Sequence, residues 1–165
     1  VKKIFNNFII LISIFGAIGP VNLIANSAVQ DYAKIKIYLK DPKSYIAIVW
    51  PLVPLEADLQ IEDMLHKYGK ILHKSSIMLS KTDASVLLRT AHPHILNTAD
   101  HVGWYFPPGA FERPARVYIV QFNNLDIAVE TKHKIRRLFN LQYRAIHIND
   151  TRSETKALGK FFFKH

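Results

Sequence analysis

Residues 116–151 read RVYIVQFNNLDIAVETKHKIRRLFNLQYRAIHINDT, and this stretch decides the fold class. Arg116 to Phe122 is a run of β-branched and aromatic residues of the kind that packs on a pleated, half-buried surface. Asn123-Asn124 then supplies a turn or a helix cap. From Leu125 to Phe139, the apolar positions Ala128, Ile135, Leu138 and Phe139 fall on one helical face. Tyr143 to Ile148 reads as a further strand. Asn149-Asp150-Thr151 leads into a terminal helix in which Thr151 and Glu154 have the spacing of a capping box.

The preceding half repeats this order. Tyr45 to Trp50 (YIAIVW) reads as a buried strand that stops at Pro51 and Pro54. A helix is predicted over Leu55 to Tyr68, with Leu55, Leu59, Ile61, Met64, Leu65 and Tyr68 on its apolar side and Gly69 as its cap. Lys70 to Leu79 is a second strand. Asp83 caps a short helix over Ala84 to Ala91, which ends near His92 because a residue before proline is pushed out of helical geometry. Residues 33 to 40 read as strand or as helix, since Ile35, Ile37 and Leu39 alternate ahead of Asp41-Pro42.

Two strand-helix-strand-helix halves, joined by a long loop over 92–114, point to a single α/β layered domain. The sheet is expected to be mixed or mostly parallel. The segment that precedes it is of another kind: Lys2 and Lys3, an apolar run from Phe8 to Ala25 broken by Gly16, Gly19 and Pro20, and small residues at Ala25 and Ser27 ahead of Ala28. This is the layout of a secretory signal peptide over 1–27, with an uncleaved anchor as the alternative. The mature domain then spans 28–165 and is periplasmic or secreted. At its end Phe161-Phe162-Phe163-Lys164-His165 carries no helix stop signal, which suggests a truncated C-terminus.

Composition narrows the chemistry. The chain of 165 residues has no cysteine, which excludes disulfides, a lipidated cysteine and thiol catalysis. Its formal net charge is +9, and the charge is uneven: nine basic residues lie from Lys132 onward against only Asp150 and Glu154. Clustered positive charge attracts counter-charge, so the expected partner is an anionic small molecule or polymer, or an acidic protein surface. Intracellular nucleic acid fits an exported protein poorly. Membrane contact fits the basic, Phe-rich terminal helix, along which Arg152, Lys156, Lys160 and Lys164 recur every four residues.

Three constellations carry candidate chemistry. The first is His92-Pro-His94 with Asp100 and His101, four ligand-type side chains within ten residues, suited to a divalent metal such as zinc and to metal-dependent hydrolysis. The run loosely resembles the His-x-His-x-Asp-His run of metallo-β-lactamase-type hydrolases, but four additional residues intervene and the chain is short for that fold, so the family does not carry over. A surface loop that happens to hold histidines accounts for the run as well.

The second constellation is the strand-to-helix junction His147, Asn149, Asp150 and Thr151, with Arg152 and Lys156 following and Arg136 and Arg137 on the preceding helix. A helix N-terminus beyond a strand end suits an anion, and simple helix capping is the competing account. The third is Gly103 to Gly109, where Trp104 is followed at a distance by Arg113 and Arg116. Aromatic faces beside guanidinium groups suit stacking on a ligand, although packing beneath the loop accounts for Trp104 and Phe106 equally. Glu56, Asp58, Glu62 and Asp63 are expected to solvate one helix and offset its dipole. No nucleophile elbow and no glycine-rich phosphate loop is present. The leading expectation is a non-enzymatic anion-binding domain; the alternatives are a metal-dependent hydrolase and a membrane-associated interaction protein.

Overall fold

The computed structural model describes the backbone of residues 21–93 and 98–163, with side-chain surroundings for 31–93 and 101–163. The chain divides into two units, residues 1–33 and 34–165. In the first, the described part is helical and belongs to helix α1 (Val21–Lys40). Of the signal peptide expected over 1–27, residues 1–20 lie outside the described residues, and the expected cut ahead of Ala28 falls within α1. No helix among the described residues is long and apolar enough to cross a membrane. The ambiguous residues 33 to 40 are helical.

The second unit holds β1 (Ser44–Val49), α2 (Asp58–Tyr68), β2 (Gly69–Ile77), α3 (Lys81–Ala91), α4 (Thr98–Tyr105), β3 (Ala115–Phe122), α5 (Leu125–Phe139), β4 (Ile146–Ile148) and α6 (Arg152–Phe163), with 3₁₀ turns at Leu55–Ala57, Ala110–Glu112 and Gln142–Arg144. It is a mixed helix and strand fold around one four-stranded sheet, ordered β2-β3-β1-β4. Each neighbouring pair is antiparallel, which corrects the expectation of a mixed or mostly parallel sheet. The cause is interlocking. Strands β1 and β2, joined through α2, both run opposite to β3 and therefore point the same way, but β3 of the other half lies between them. Likewise β1 separates β3 from β4. Each half is thus a split β-α-β unit, and the two units interleave.

The near-continuous apolar strands follow from burial on both faces. Ile46, Ile48, Ala115 and Val117 face one core with Trp50, Leu87, Leu88 and Leu158, under α3, α4 and α6. Ala47, Val49, Tyr118, Val120, Ile146 and Ile148 face the other with Ile61, Leu65 and Ile135, under α2 and α5. The two-residue strand period therefore serves two cores at once.

Several local expectations change in detail. The cap of α3 is Ser80: its hydroxyl accepts from the Asp83 N–H at 3.1 Å while the Asp83 carboxylate accepts from the Ser80 N–H at 3.3 Å. Asp83 is thus the far member of a capping box. Gly69 does end α2, but in extended geometry as the first residue of β2. A Cβ there would stand 2.8 Å from the carbonyl oxygen of Gln121 and from the Phe122 ring, so close strand approach explains the glycine. The 92–114 loop contains α4 and a 3₁₀ turn. Within it Phe106 packs edge-on to Trp50, with ring centres 5.8 Å apart, and is buried, whereas Trp104 is 42% exposed.

The acidic residues of α2 do more than solvate it. Asp58 accepts from Arg116 Nε at 2.8 Å, and Arg116, fully buried, also donates to the Val53 carbonyl at 3.0 Å and the Pro54 carbonyl at 3.3 Å. Glu62 pairs with Lys74 and accepts from the Tyr118 hydroxyl at 3.1 Å. The Lys74 hydrogen bond, opposed by burial, holds the Glu62 carboxyl below its usual range. Arg116 is therefore a structural cation and is not a stacking partner for a ligand.

Candidate functional site at the edge of strand β4

Strand β4 lies at the sheet edge, so alternate backbone groups face away from β1. On the inner side the Trp50 N–H donates to Ala145 O at 3.2 Å and the Asn149 N–H to Ile46 O at 3.2 Å, which leaves Ile146 and Ile148 pointing outward. Their carbonyls accept from α5: Arg136 Nε bonds Ile146 O at 3.1 Å, and Lys132 Nζ bonds Ile148 O at 3.1 Å. The match is one of spacing. Four residues of helix rise about 6 Å, close to the roughly 6.6 Å covered by two residues of strand. Two cations one helical turn apart can therefore reach two carbonyls two residues apart.

Beyond these cations opens a cavity of about 960 Å³, between the end of α3, α4, the edge of β4 and the start of α6. Among its lining residues are His92, His101, Trp104, Arg136, His147 and Glu154. His147 is placed by the two-residue period of β4: Ile146 and Ile148 face the α2/α5 core, so His147 faces α6. There its Nε2 stands 2.5 Å from Glu154 Oε1. Glu154 Oε2 accepts from the Asp150 N–H at 3.0 Å. A carboxylate only accepts, so His147 donates from Nε2. The Nδ1 atom is then left buried without a partner among the described residues.

The expected capping box is present in altered form. The Glu154 N–H donates to Thr151 Oγ1 at 3.2 Å, but the Glu154 carboxylate turns to Asp150 and His147, away from the Thr151 backbone.

His92 ends α3 and lies edge-on to His147, with ring centres 4.8 Å apart and planes at 80°. Its Nε2 meets the Tyr105 hydroxyl at 3.2 Å. Burial pushes the Tyr105 phenol up to about 12, so the hydroxyl stays protonated and donates to His92. Burial, with the charge of His147 beside it, also holds His92 down to about 4. Above about pH 6.5 His92 is neutral folded and unfolded alike, and between there and about 4 only the unfolded chain takes up the proton. Stability should therefore fall as pH drops through this window. Urea-unfolding midpoints at pH 7 and pH 4.5 test this, and a His92→Gln variant should show a shallower loss. An unchanged slope in the variant would show that other groups drive it.

The acids of the cavity are matched internally. Asp150 pairs with Lys132, and Glu154 holds His147. Arg136 is different: Nε is engaged, its guanidinium lies 4.6 Å over the Tyr143 ring, and its two terminal nitrogens have no hydrogen-bond partner among the described residues. Burial lowers its pKa.

No protein-family model matches the sequence, and no curated protein matches it either.

The residues singled out in the sequence separate into two sets. The cavity brings together His92, His101, Trp104, Arg136, His147, Asp150 and Thr151. Lys132, Tyr105, Tyr143 and Glu154 join them without having been singled out as site residues; the i, i+4 spacing of Lys132 and Arg136 was the available signal. Asn149 is buried and structural, with its Oδ1 accepting from the Ile46 N–H at 2.5 Å and its Nδ2 donating to Thr155 Oγ1 at 2.8 Å. Arg152 bonds the carbonyls of Leu39 and Asp41 at the end of α1. Lys156 and Arg113 are exposed and do not line the cavity. Arg137 lies in an adjoining depression. Of the metal set, His94 lies outside the described residues, as does the side chain of Asp100. Among the described residues no group of three or more His, Asp or Glu side chains is placed to hold a metal ion.

Proposed function

We propose that this domain binds a small anionic ligand in the cavity at the β4 edge, with Arg136 as the principal cation and the 92–114 loop contributing Trp104 and His101. The observation that carries this reading is the state of Arg136. Its neighbours Lys132 and His147 already have carboxylate partners, whereas the terminal nitrogens of Arg136 have none among the described residues and the residue lines the cavity. A guanidinium presents its donors in a fixed fork suited to phosphate or carboxylate. The basic excess of the C-terminal half supports the same reading, and a cavity of about 960 Å³ suits a small ligand. Placement outside the cytoplasm is part of this proposal and rests on the sequence of residues 1–27 alone.

Titration calorimetry with inorganic phosphate tests it. The unaltered protein should bind, and Arg136→Gln, with its fold checked by circular dichroism, should bind at least about tenfold more weakly, as expected for a hydrogen bond to a charged group. Failure of the unaltered protein to bind phosphate or a simple carboxylate at millimolar concentration would sink the proposal.

A further inference from the structure

A second depression of about 480 Å³ adjoins the cavity, lined by His133, Arg136, Arg137, Asn140, Gln142 and Tyr143. Arg136 and Tyr143 line both spaces. The two differ in charge. Asp150 and Glu154 line the first, while among the described residues no acidic one lines the second. The backbone here is also unusual: Asn140 at φ 49° and Gln142 at φ 50° are the two non-glycine residues with positive φ among the described residues, and both line this depression. Asparagine is a common left-handed residue at a helix end, which accounts for Asn140. Gln142 has no such convention, and a left-handed residue of its type is strained. Strained positions held by the surrounding fold concentrate where ligands are gripped.

We propose that this depression is a second anion subsite for the same ligand, so that the ligand carries two anionic groups, one on either side of the Arg136 guanidinium. The inference rests on the anion-binding reading above. Arg137 supplies the charge for the second group, and His133, one helical turn before it on α5, offers a ring N–H. The carbonyl end of α5 repels an anion, so these side chains and Arg136 must hold it.

The test compares inorganic phosphate with tripolyphosphate at fixed ionic strength, the latter having terminal groups far enough apart to flank one guanidinium. Tripolyphosphate should bind at least about tenfold tighter than phosphate. Arg137→Gln should remove most of that margin and leave phosphate affinity within about twofold; His133→Gln should reduce it in the same direction. Lys156→Gln removes one exposed charge outside both spaces and should leave the margin intact, which controls for net charge. Equal affinity for the two probes overturns the second subsite while the Arg136 reading stands. An unchanged margin in Arg137→Gln, or an equal loss in Lys156→Gln, also overturns it. If the unaltered protein binds neither probe, the anion-binding reading itself falls and takes this inference with it.

Discussion

Replacing Asp58 with alanine should destabilise the domain by about 3 kcal/mol, because it leaves the Arg116 guanidinium charged and without its carboxylate partner in the protein interior. Arg116 is fully buried, and its remaining partners, the carbonyls of Val53, Pro54 and Pro114, are neutral. Asp58 is itself about one-fifth exposed, which keeps the figure at the lower end for a broken buried pair. Lys74 stands 3.8 Å away on the same carboxylate, so the substitution also loosens the link from α2 to β2. The midpoint of urea unfolding measures the change. A loss below about 1 kcal/mol would place this pair with exposed ion pairs and contradict its assigned role. The double variant Asp58→Asn, Arg116→Met should recover much of the loss, since an apolar side chain of similar length removes the need for a partner.

The second large effect is expected at Asn149. Its side chain completes the ladder between β4 and β1 by accepting the Ile46 N–H, and its amide group donates to Thr155 Oγ1 and to Thr151 O at 3.1 Å. Alanine there removes three hydrogen bonds and strands a buried backbone donor, at a cost of about 2–4 kcal/mol. Chemical denaturation should register that loss, and amide exchange should show faster opening at Ile46. Phosphate affinity of the folded fraction should stay within about twofold. A selective loss of binding with unchanged stability would instead return Asn149 to the ligand site.

Much of the element order was legible because the local signals are strong. Tyr45 to Trp50 and Arg116 to Phe122 are apolar on both sides of the pleat, and both are strands between two helical layers. Asn124 does cap α5, with its Oδ1 accepting from the Ile127 N–H at 3.0 Å. The sheet was not legible in the same way. A helix between two strands fixes their relative direction but says nothing of which strand lies between them, and the insertion of β3 beside β1 is a long-range event. The strand predicted over Tyr143 to Ile148 is shorter, because Gln142–Arg144 forms a 3₁₀ turn.

The site was half legible for a related reason. Charge excess pointed to α5 and α6, but charge alone does not distinguish a cation bonded to backbone from one facing a cavity. Arg152 and Arg136 look alike in sequence, and only the fold brings carbonyls of Leu39 and Asp41 against the first. Conversely Glu154, read as half of a capping box, turns instead to His147, a contact seven positions away that depends on how α6 lies across β4.

The cations over the outer carbonyls of β4 also limit how copies of this chain could assemble. A sheet that recruits strands at both margins can polymerise without end. Here one margin, β4, is occupied by Lys132 and Arg136, and β2 forms the other. In polymer terms the occupied margin takes away one of the sheet's two points of growth, and a fibre built by continued sheet extension needs both.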